Sequence, residues 1–317
     1  MIERTSPSRR RTGWRLGGAI AVVGGLGSAV LAPSMLVPSA GAAVRSSVAV
    51  VLPPGYSAAN VVFMDNFTGG RLNAARWNRY LTSRAAGGSP WNSNRSGGSS
   101  PANPSVNYDQ EYDLPGQVHV RNGLVIRAIR RPTPGVLGSG PMVYPWRSGA
   151  VSSYGHFQFT GGYLQVVAKM PSAPGLWPGL WMLPGQSGTG GDNYEIDLFE
   201  GGMLAGGANP ATTFSWHLHT PSGIVGSTVP VGVSLGSGYH RYGLDWVPGR
   251  SITWYFDGRV VGRVTSATAS IPTEPMELLL NVQVANSAAA GWHSVPSGAT
   301  TSGAMRIRSV EVLSSSG

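Results

Sequence analysis

Cysteine is absent from this chain of 317 residues, and lysine occurs once, at Lys169. The lack of cysteine excludes a disulfide framework, a thiol nucleophile and a cysteine-ligated metal site. Only 12% of the residues are charged, and no basic run follows the N-terminal segment, which argues against nucleic acid as a partner despite the net charge of +9. The chain also lacks a G-x-S-x-G element, a phosphate-binding loop and a dinucleotide fingerprint.

Long helical periodicity is missing as well, and the only helical suggestion spans residues 73–77. Short apolar or alternating runs instead recur between turn signals rich in glycine and proline. They occupy residues 118–120, 124–128, 163–168, 252–256, 276–284 and 305–313. Asp257-Gly258 between two such runs predicts a hairpin. We therefore expect an all-β fold, an antiparallel sandwich or jelly roll, with residues 82–106 as a long surface loop near a functional edge.

The N-terminal segment has the order basic, apolar, small that is typical of an export signal. Ser8-Arg9-Arg10-Arg11 precedes a glycine-interrupted apolar stretch, and Ala40-Gly41-Ala42 offers a cleavage site. The stretch makes a poor membrane span, so we expect secretion without a stable membrane anchor. The paired arginines resemble a twin-arginine signal, but the export route stays open because Thr12-Gly13-Trp14 departs from that pattern. The predicted organisation is a signal peptide over 1–42, a linker over 43–60 and one β-sandwich domain over 61–315.

Three acidic residues fall within six positions, at Glu195, Asp197 and Glu200. In a regular strand Glu195 and Asp197 share one face, whereas Glu200 points to the other. A β-bulge at Leu198-Phe199 would return Glu200 to the face of Glu195. Carboxylates brought together in this way acquire different pKa values, which is what retaining glycosidases require of their nucleophile and their acid. By spacing alone, a solvated acidic strand or a calcium site is equally compatible.

Aromatic and histidine side chains flank this cluster. Trp177 and Trp181 stand in a Gly/Pro-rich stretch before it and suit a cleft that packs against sugar rings, although burial in the core is the common fate of tryptophan. Downstream, His217 and His219 alternate with apolar residues and share a face. A metal pair is conceivable there, but no third ligand is evident in the sequence, so we expect no metal and a hydrogen-bonding role for His217 in the cleft.

Across residues 61–313 the chain resembles glycoside hydrolase family 16, the group of laminarinases, lichenases, agarases and carrageenases. The landmarks run in family order: Phe63-Met64-Asp65-Asn66-Phe67, Gly123-Leu124-Val125-Ile126-Arg127-Ala128, the tryptophan segment, the acid cluster and Tyr239-His240-Arg241-Tyr242-Gly243-Leu244-Asp245-Trp246. The resemblance implies a concanavalin A-like jelly roll with an open cleft and no cofactor. It also implies Glu195 as nucleophile, Asp197 as assisting acid and Glu200 as general acid/base. Trp177, Trp181, His217 and Asn107 are implied as cleft residues.

Three positions depart from the family pattern. Asn66 and Arg308 stand where many members hold a structural calcium ion, so we expect no such ion. Ala150 stands where laminarinases often carry an arginine, which weakens the assignment to β-1,3-glucan. The prediction is a monomeric, secreted, retaining endo-glycoside hydrolase acting on a β-1,3- or β-1,3-1,4-glucan. Open alternatives are a hydrolase or transglycosylase for another β-glycan, such as a galactan or a bacterial exopolysaccharide, and a non-catalytic carbohydrate-binding protein.

Overall fold

A computed structural model describes residues 52–91, 108–137, 140–204 and 209–315, and within them the chain forms sixteen β-strands and four short 3₁₀ turns. The strands are β1 (Val61–Asp65), β2 (Glu111–Asp113), β3 (Val118–Val120), β4 (Leu124–Leu137), β5 (Gly140–Ser148), β6 (Ala150–Ser152), β7 (Gly162–Lys169), β8 (Leu176–Pro184), β9 (Glu195–Glu200), β10 (Thr213–Thr220), β11 (Gly223–Pro230), β12 (His240–Val247), β13 (Ser251–Phe256), β14 (Arg259–Thr265), β15 (Met276–Val284) and β16 (Ser302–Leu313). The 3₁₀ turns span Ala58–Asn60, Pro115–Gln117, Pro210–Thr212 and Ser287–Ala289.

The strands form two sheets. The larger has ten strands in the order β14-β13-β12-β7-β16-β4-β5-β2, with β1 added to β16 and β3 added to β4. The smaller has six strands in the order β11-β10-β9-β8-β15-β6, which puts the acidic strand β9 near its middle. The predicted β-jelly-roll sandwich is confirmed. One pair departs from the antiparallel expectation, because β2 and β5 run parallel.

The core lies between the two sheets and follows the alternation of each strand. In β15, Leu278, Leu280 and Val282 are buried against the other sheet, and the intervening residues face the concave side. Trp246 and Trp254 enter the same core from the larger sheet. Complete burial of one leucine or valine side chain stabilises the fold by about 1.5–3 kcal/mol. Many such side chains share this layer, so it holds in place the strand that carries the acids.

The strand predictions agree with the structure at several places. The run 118–120 is β3, the run 276–284 is β15, and the hairpin at Asp257-Gly258 joins β13 to β14. The helical suggestion at 73–77 is wrong. There Arg76 and Trp77 donate to the carbonyl of Asn73 in a single turn, because Trp77 leaves the turn to pack on Phe63 and Phe67.

The predicted signal peptide over 1–42 and most of the predicted linker lie outside the described residues, and β1 begins at Val61. Of the predicted loop 82–106, only the part up to Trp91 is described, and its Trp91 side chain packs near Trp181. Among the described residues, no helix has the length and apolar character needed to span a membrane.

Candidate active site

Strand β9 carries the predicted bulge. On the β10 side, Glu200 pairs with Ser215 and Asp197 pairs with His217, so Trp216 alone faces Leu198 and Phe199. Both of these apolar side chains are fully buried in the core. The indole nitrogen of Trp254 donates to the backbone carbonyl of Asp197 at 2.9 Å and ties the bulge to the larger sheet. The extra residue brings Glu195, Asp197 and Glu200 into one cleft, as the spacing predicted.

Two ring nitrogens contact the carboxyl group of Glu200. Trp177 donates from Nε1 to Oε1 at 3.0 Å, and Nδ1 of His217 lies 2.5 Å from Oε2. The second contact accommodates a proton on either atom, because a neutral imidazole accepts at one nitrogen and donates at the other. Two of the predicted cleft residues, Trp177 and His217, are therefore direct neighbours of one carboxyl group.

Asp197 lies between the two glutamates. The residue is only 1% exposed, and its carboxyl oxygens lie within 4.8 Å of one on Glu195 and of one on Glu200. Nε2 of His219 lies 3.1 Å from Oδ2 of Asp197 and 3.7 Å from Oε1 of Glu195. The register of β9 and β10 thus places two carboxyl groups beside each of the two histidines, an arrangement that the linear sequence does not show.

The three carboxyl groups have unequal proton affinities. Burial raises the pKa of Glu195 well above its ordinary value, and repulsion from Asp197 adds to the rise. Burial and the charge of Glu200 raise the pKa of Asp197 in the same way. For Glu200 burial also acts upward, but the hydrogen bonds from His217 and Trp177 outweigh it and lower the pKa. The ligand-free cleft thus stabilises the charge on Glu200 and the protons on its two neighbours.

The acids line one cleft of about 770 Å³. Trp181 also lines it and donates from Nε1 to Oδ1 of Asn281 at 3.0 Å. Asn107, the fourth predicted cleft residue, lies outside the described residues. Seven acidic side chains line the cleft, namely Asp109, Glu111, Asp113, Asp192, Glu195, Asp197 and Glu200. The described residues that line it include no lysine or arginine, although the chain as a whole is basic.

Sequence reasoning missed several residues of this cleft. His293 is buried, stacks on Trp177 with ring centroids 4.6 Å apart and lies 2.9 Å from the carbonyl of Gly201. Trp292 lines the cleft, and its ring centroid lies 5.3 Å from that of Trp177. Neither residue stands in a recognisable motif, and both come from a segment about ninety residues after Glu200, where Trp292 lines the cleft and His293 lies buried behind Trp177. The alternation of Asp109, Glu111 and Asp113 was a visible signal for a second acidic strand face.

The departing positions have structural roles of their own. Ala150 is fully buried in a small apolar cluster with Leu81 and Trp91, which occupies the concave side of β6. Asn66 accepts a hydrogen bond from Thr68, and the guanidinium of Arg308 stacks over the ring of Tyr239 at 4.2 Å.

A two-sheet jelly roll with closely spaced carboxyl groups in a concave cleft has the arrangement expected of a glycoside hydrolase. Comparison with known proteins agrees, since the family described as Glycosyl hydrolases family 16 matches residues 115–305. The chain belongs to glycosyl hydrolase family 16, as the sequence resemblance indicated.

Individual relatives have narrower names. The chain is 32% identical over 142 residues to the endo-1,3-1,4-beta-glycanase EglC of Rhizobium meliloti, covering 44% of this chain and 28% of that protein. It is 28% identical over 259 residues to glucan endo-1,3-beta-glucosidase A1 of Niallia circulans, covering 75% and 36%. The catalytic domain of an endo-1,3-beta-glucanase (laminarinase) from Thermotoga petrophila superposes with a TM-score of 0.63 at 24% identity, covering 81% and 98%. The matched region thus spans about a third of the length of each of these two curated relatives.

Proposed function

We propose that this chain is a secreted, retaining endo-glycanase that hydrolyses a β-1,3- or mixed-linkage β-1,3-1,4-glucan. The observation that carries the proposal is the position of Asp197, which has a carboxyl oxygen within 4.8 Å of one on Glu195 and of one on Glu200, on one face of the bulged strand. Two carboxyl groups that flank a single aspartate form a compact set, which favours the separation of about 5–5.5 Å used by retaining enzymes over the wider one of inverting enzymes.

The roles follow from the contacts. Glu195, unencumbered by Trp177 and His217, attacks the anomeric carbon, and the bond from that carbon to the leaving oxygen breaks as Glu200 gives this oxygen a proton. Water then enters, loses a proton to Glu200 and releases the sugar from Glu195. Asp197 in its protonated form donates a hydrogen bond to Glu195 and stabilises the charged nucleophile.

The pKa shifts in the free cleft run against these roles, because they favour charge on Glu200 and protons on Glu195 and Asp197. The 2.5 Å contact is compatible with both states, because its proton can lie on either atom, and Glu200 in its acid form then donates from Oε2 to Nδ1 of His217. Protons in such a coupled set belong to the cluster and redistribute when a ligand changes the contacts. A glycosidic oxygen beside Oε2 would compete for that proton and complete the acid role of Glu200.

The charge of the cleft supports a neutral glycan. Its described lining has no lysine or arginine, so a sulfated or uronate-rich chain would meet the charge of Glu200 without such a cation to pair with. The tryptophans offer apolar faces to uncharged pyranose rings. The names of EglC and of glucan endo-1,3-beta-glucosidase A1 point to the same substrate class. Secretion is supported by the signal-like order of residues 1–42.

The test is a panel of laminarin, lichenan, agarose, carrageenan, galactan and xyloglucan, with product size and anomeric configuration followed by NMR. We expect oligosaccharides from laminarin or lichenan whose newly formed reducing ends are initially β. Glu195→Gln and Glu200→Gln should each lower kcat at least about 10²-fold while the thermal unfolding temperature stays near that of the unchanged protein.

Other outcomes decide between the alternatives. Initial α products would contradict the retaining mechanism. Longer products formed in the presence of acceptor sugars would favour a transglycosylase. Binding without release of sugar from any polysaccharide would favour a carbohydrate-binding protein.

A further inference from the structure

Three side chains at the cleft present a converging set of metal-ligand atoms. Nε2 of His219, Oδ2 of Asp197 and Oε1 of Glu195 all lie within 4.8 Å of one another. The imidazole nitrogen is 3.1 Å from the aspartate oxygen and 3.7 Å from the glutamate oxygen. One histidine and two carboxylates on neighbouring strands thus point to a common centre.

These spacings fit a tetrahedral ion. Zn²⁺ binds imidazole nitrogen and carboxylate oxygen at about 2.0–2.2 Å, so two ligand atoms of one tetrahedron lie roughly 3.3–3.6 Å apart. The two measured separations lie within a few tenths of an ångström of that range. The third separation, between the two carboxyl oxygens, lies within 4.8 Å, and rotation of the exposed Glu195 side chain can bring it to a tetrahedral edge.

The site is also open to solvent. The side chains of His219 and Glu195 are 35% and 31% exposed, whereas Asp197 is buried beneath them. An ion can therefore enter from the cleft and keep a fourth position for water. The related set of Asp197, Glu200 and His217 is less suitable, because its 2.5 Å hydrogen bond is shorter than a tetrahedral edge and Trp177 already donates to Glu200.

We propose that Glu195, Asp197 and His219 bind one divalent transition-metal ion of the Zn²⁺ class, and that this ion and the glycan compete for the cleft. The bound ion would hold the Glu195 oxygen that the reaction needs and would occupy the space of the sugar ring. The competition depends on the proposed function, whereas the binding of the ion does not.

The binding test uses the purified protein, with ZnCl₂ titrated by calorimetry at neutral pH and CoCl₂ titrated by visible absorption. We expect one site with a tetrahedral cobalt spectrum that added Zn²⁺ abolishes. His219→Gln should weaken Zn²⁺ at least about tenfold, since the loss of a mere supporting contact to a metal ligand already costs about 10–100-fold. Glu195→Gln should weaken it as well and should remain folded, because its side chain is a third exposed.

A matched control is available at His240, whose Nδ1 lies 2.7 Å from Oδ2 of Asp257. This histidine–carboxylate pair belongs to no three-ligand group among the described residues. His240→Gln should leave Zn²⁺ binding and activity unchanged. Equal Zn²⁺ affinity in His219→Gln and the unchanged protein would overturn the proposal, and so would weaker binding in His240→Gln than in His219→Gln.

The kinetic test separates this proposal from the proposed function. With an active preparation, Zn²⁺ should raise the apparent KM for the glucan with little change in kcat, and EDTA should restore the original value. Zn²⁺ binding through His219 in a protein that cleaves no glycan would contradict the proposed function alone. Full activity with no Zn²⁺ binding would contradict the metal site alone.

Discussion

His217 connects the sequence to the chemistry at the scale of a single residue. Its Nδ1 lies 2.5 Å from Glu200, and its contribution is to lower the pKa of that carboxyl group. An acid whose pKa is held down loses its proton at a lower pH than it otherwise would. The alkaline limb of the pH profile, which reports the loss of the proton from the general acid, should therefore depend on this histidine.

We predict that His217→Ala shifts the alkaline limb of the kcat/KM profile toward higher pH, because removal of the histidine removes a cause of the lowered pKa of Glu200. We also expect kcat to fall roughly 10–100-fold, since Glu200 loses one of its two orienting contacts. The measurement is kcat/KM on laminarin or lichenan between pH 4 and 9. An alkaline limb that stays in place would contradict the acid role of Glu200.

Glu277 is a buried acid outside the catalytic set. It is fully buried on β15, neither of its carboxyl oxygens has a hydrogen-bond partner, and burial raises its pKa to about 10. Its protonated form is favoured in the folded state, so its contribution to stability is full below the unfolded pKa of about 4.5 and declines as the pH rises toward 10.

We predict that Glu277→Gln raises the free energy of unfolding at pH 7 by roughly 1–3 kcal/mol and has little effect near pH 4. Chemical denaturation at the two pH values measures the difference. Glu274→Gln is the control, because Glu274 accepts from the backbone N–H groups of Thr189 and Gly190 and gains nothing from losing its charge. An equal gain at both pH values would contradict the assignment to ionisation.

At the scale of a structural element, the segment that follows β9 supports the residues that contact the acids. Gly202 has φ +90°, and a Cβ added there would lie 2.2 Å from Nε2 of His293. His293 in turn contacts the carbonyl of Gly201 and stacks on Trp177. Glycine is therefore required at 202 both for its backbone conformation and for the space that His293 fills.

We predict that Gly202→Ala destabilises the protein by more than the roughly 1–3 kcal/mol of a strained φ alone and lowers kcat by displacing His293 and Trp177. Gly232→Ala is the matched control, because Gly232 has φ +75° with no atom within 4 Å of an added Cβ. Gly232→Ala should lower the free energy of unfolding only by the cost of the strained backbone conformation and should leave kcat unchanged. Equal effects of the two substitutions on stability and kcat would exclude a role for the His293 contact.

At the scale of the whole molecule, most of the described acidic residues with a resolved pKa shift have a raised pKa, and burial is the main cause. Burial raises the pKa of Asp109 to about 6 and raises those of Glu111 and Asp113 in β2 well above their ordinary values, with repulsion from Asp109 adding to the rise of these two. Glu195, Asp197, Glu277 and Glu311 shift in the same direction, and only Glu200 shifts downward among the acids with a resolved shift. Each raised group stabilises the fold fully below its unfolded pKa near 4 and loses that contribution as the pH rises through its folded value.

We predict that the thermal unfolding temperature decreases from about pH 5 to pH 8, and that Asp113→Asn reduces this slope. Asp113 is 2% exposed and its Oδ1 lacks a partner, so an amide there avoids the cost of a buried charge. Calorimetric scans of both proteins across this pH range test the prediction. An unfolding temperature that rises with pH would contradict it.

The acid set, its bulge and the sandwich fold were accessible from the sequence, because each depends on local periodicity. The period-2 pattern assigns Glu195 and Asp197 to one face, and a single extra apolar residue is the least change that returns Glu200 to it. The hairpin at Asp257-Gly258 and the strand 276–284 follow from the same local rules. The prediction of a short helix at 73–77 was wrong because Trp77 packs in the core against Phe63, a contact that the local sequence pattern does not indicate.

The tertiary structure decided what surrounds those acids. His219 meets Glu195 and Asp197 only through the register between β9 and β10, and His293 reaches Gly201 and Trp177 only after the chain has returned through β15. Such neighbours are set by strand pairing across long separations in sequence, where the free energy depends on packing and desolvation that a linear pattern does not contain. The sequence therefore determined which residues can do the chemistry, and the fold determined their partners, their pKa values and the metal-ligand geometry beside them.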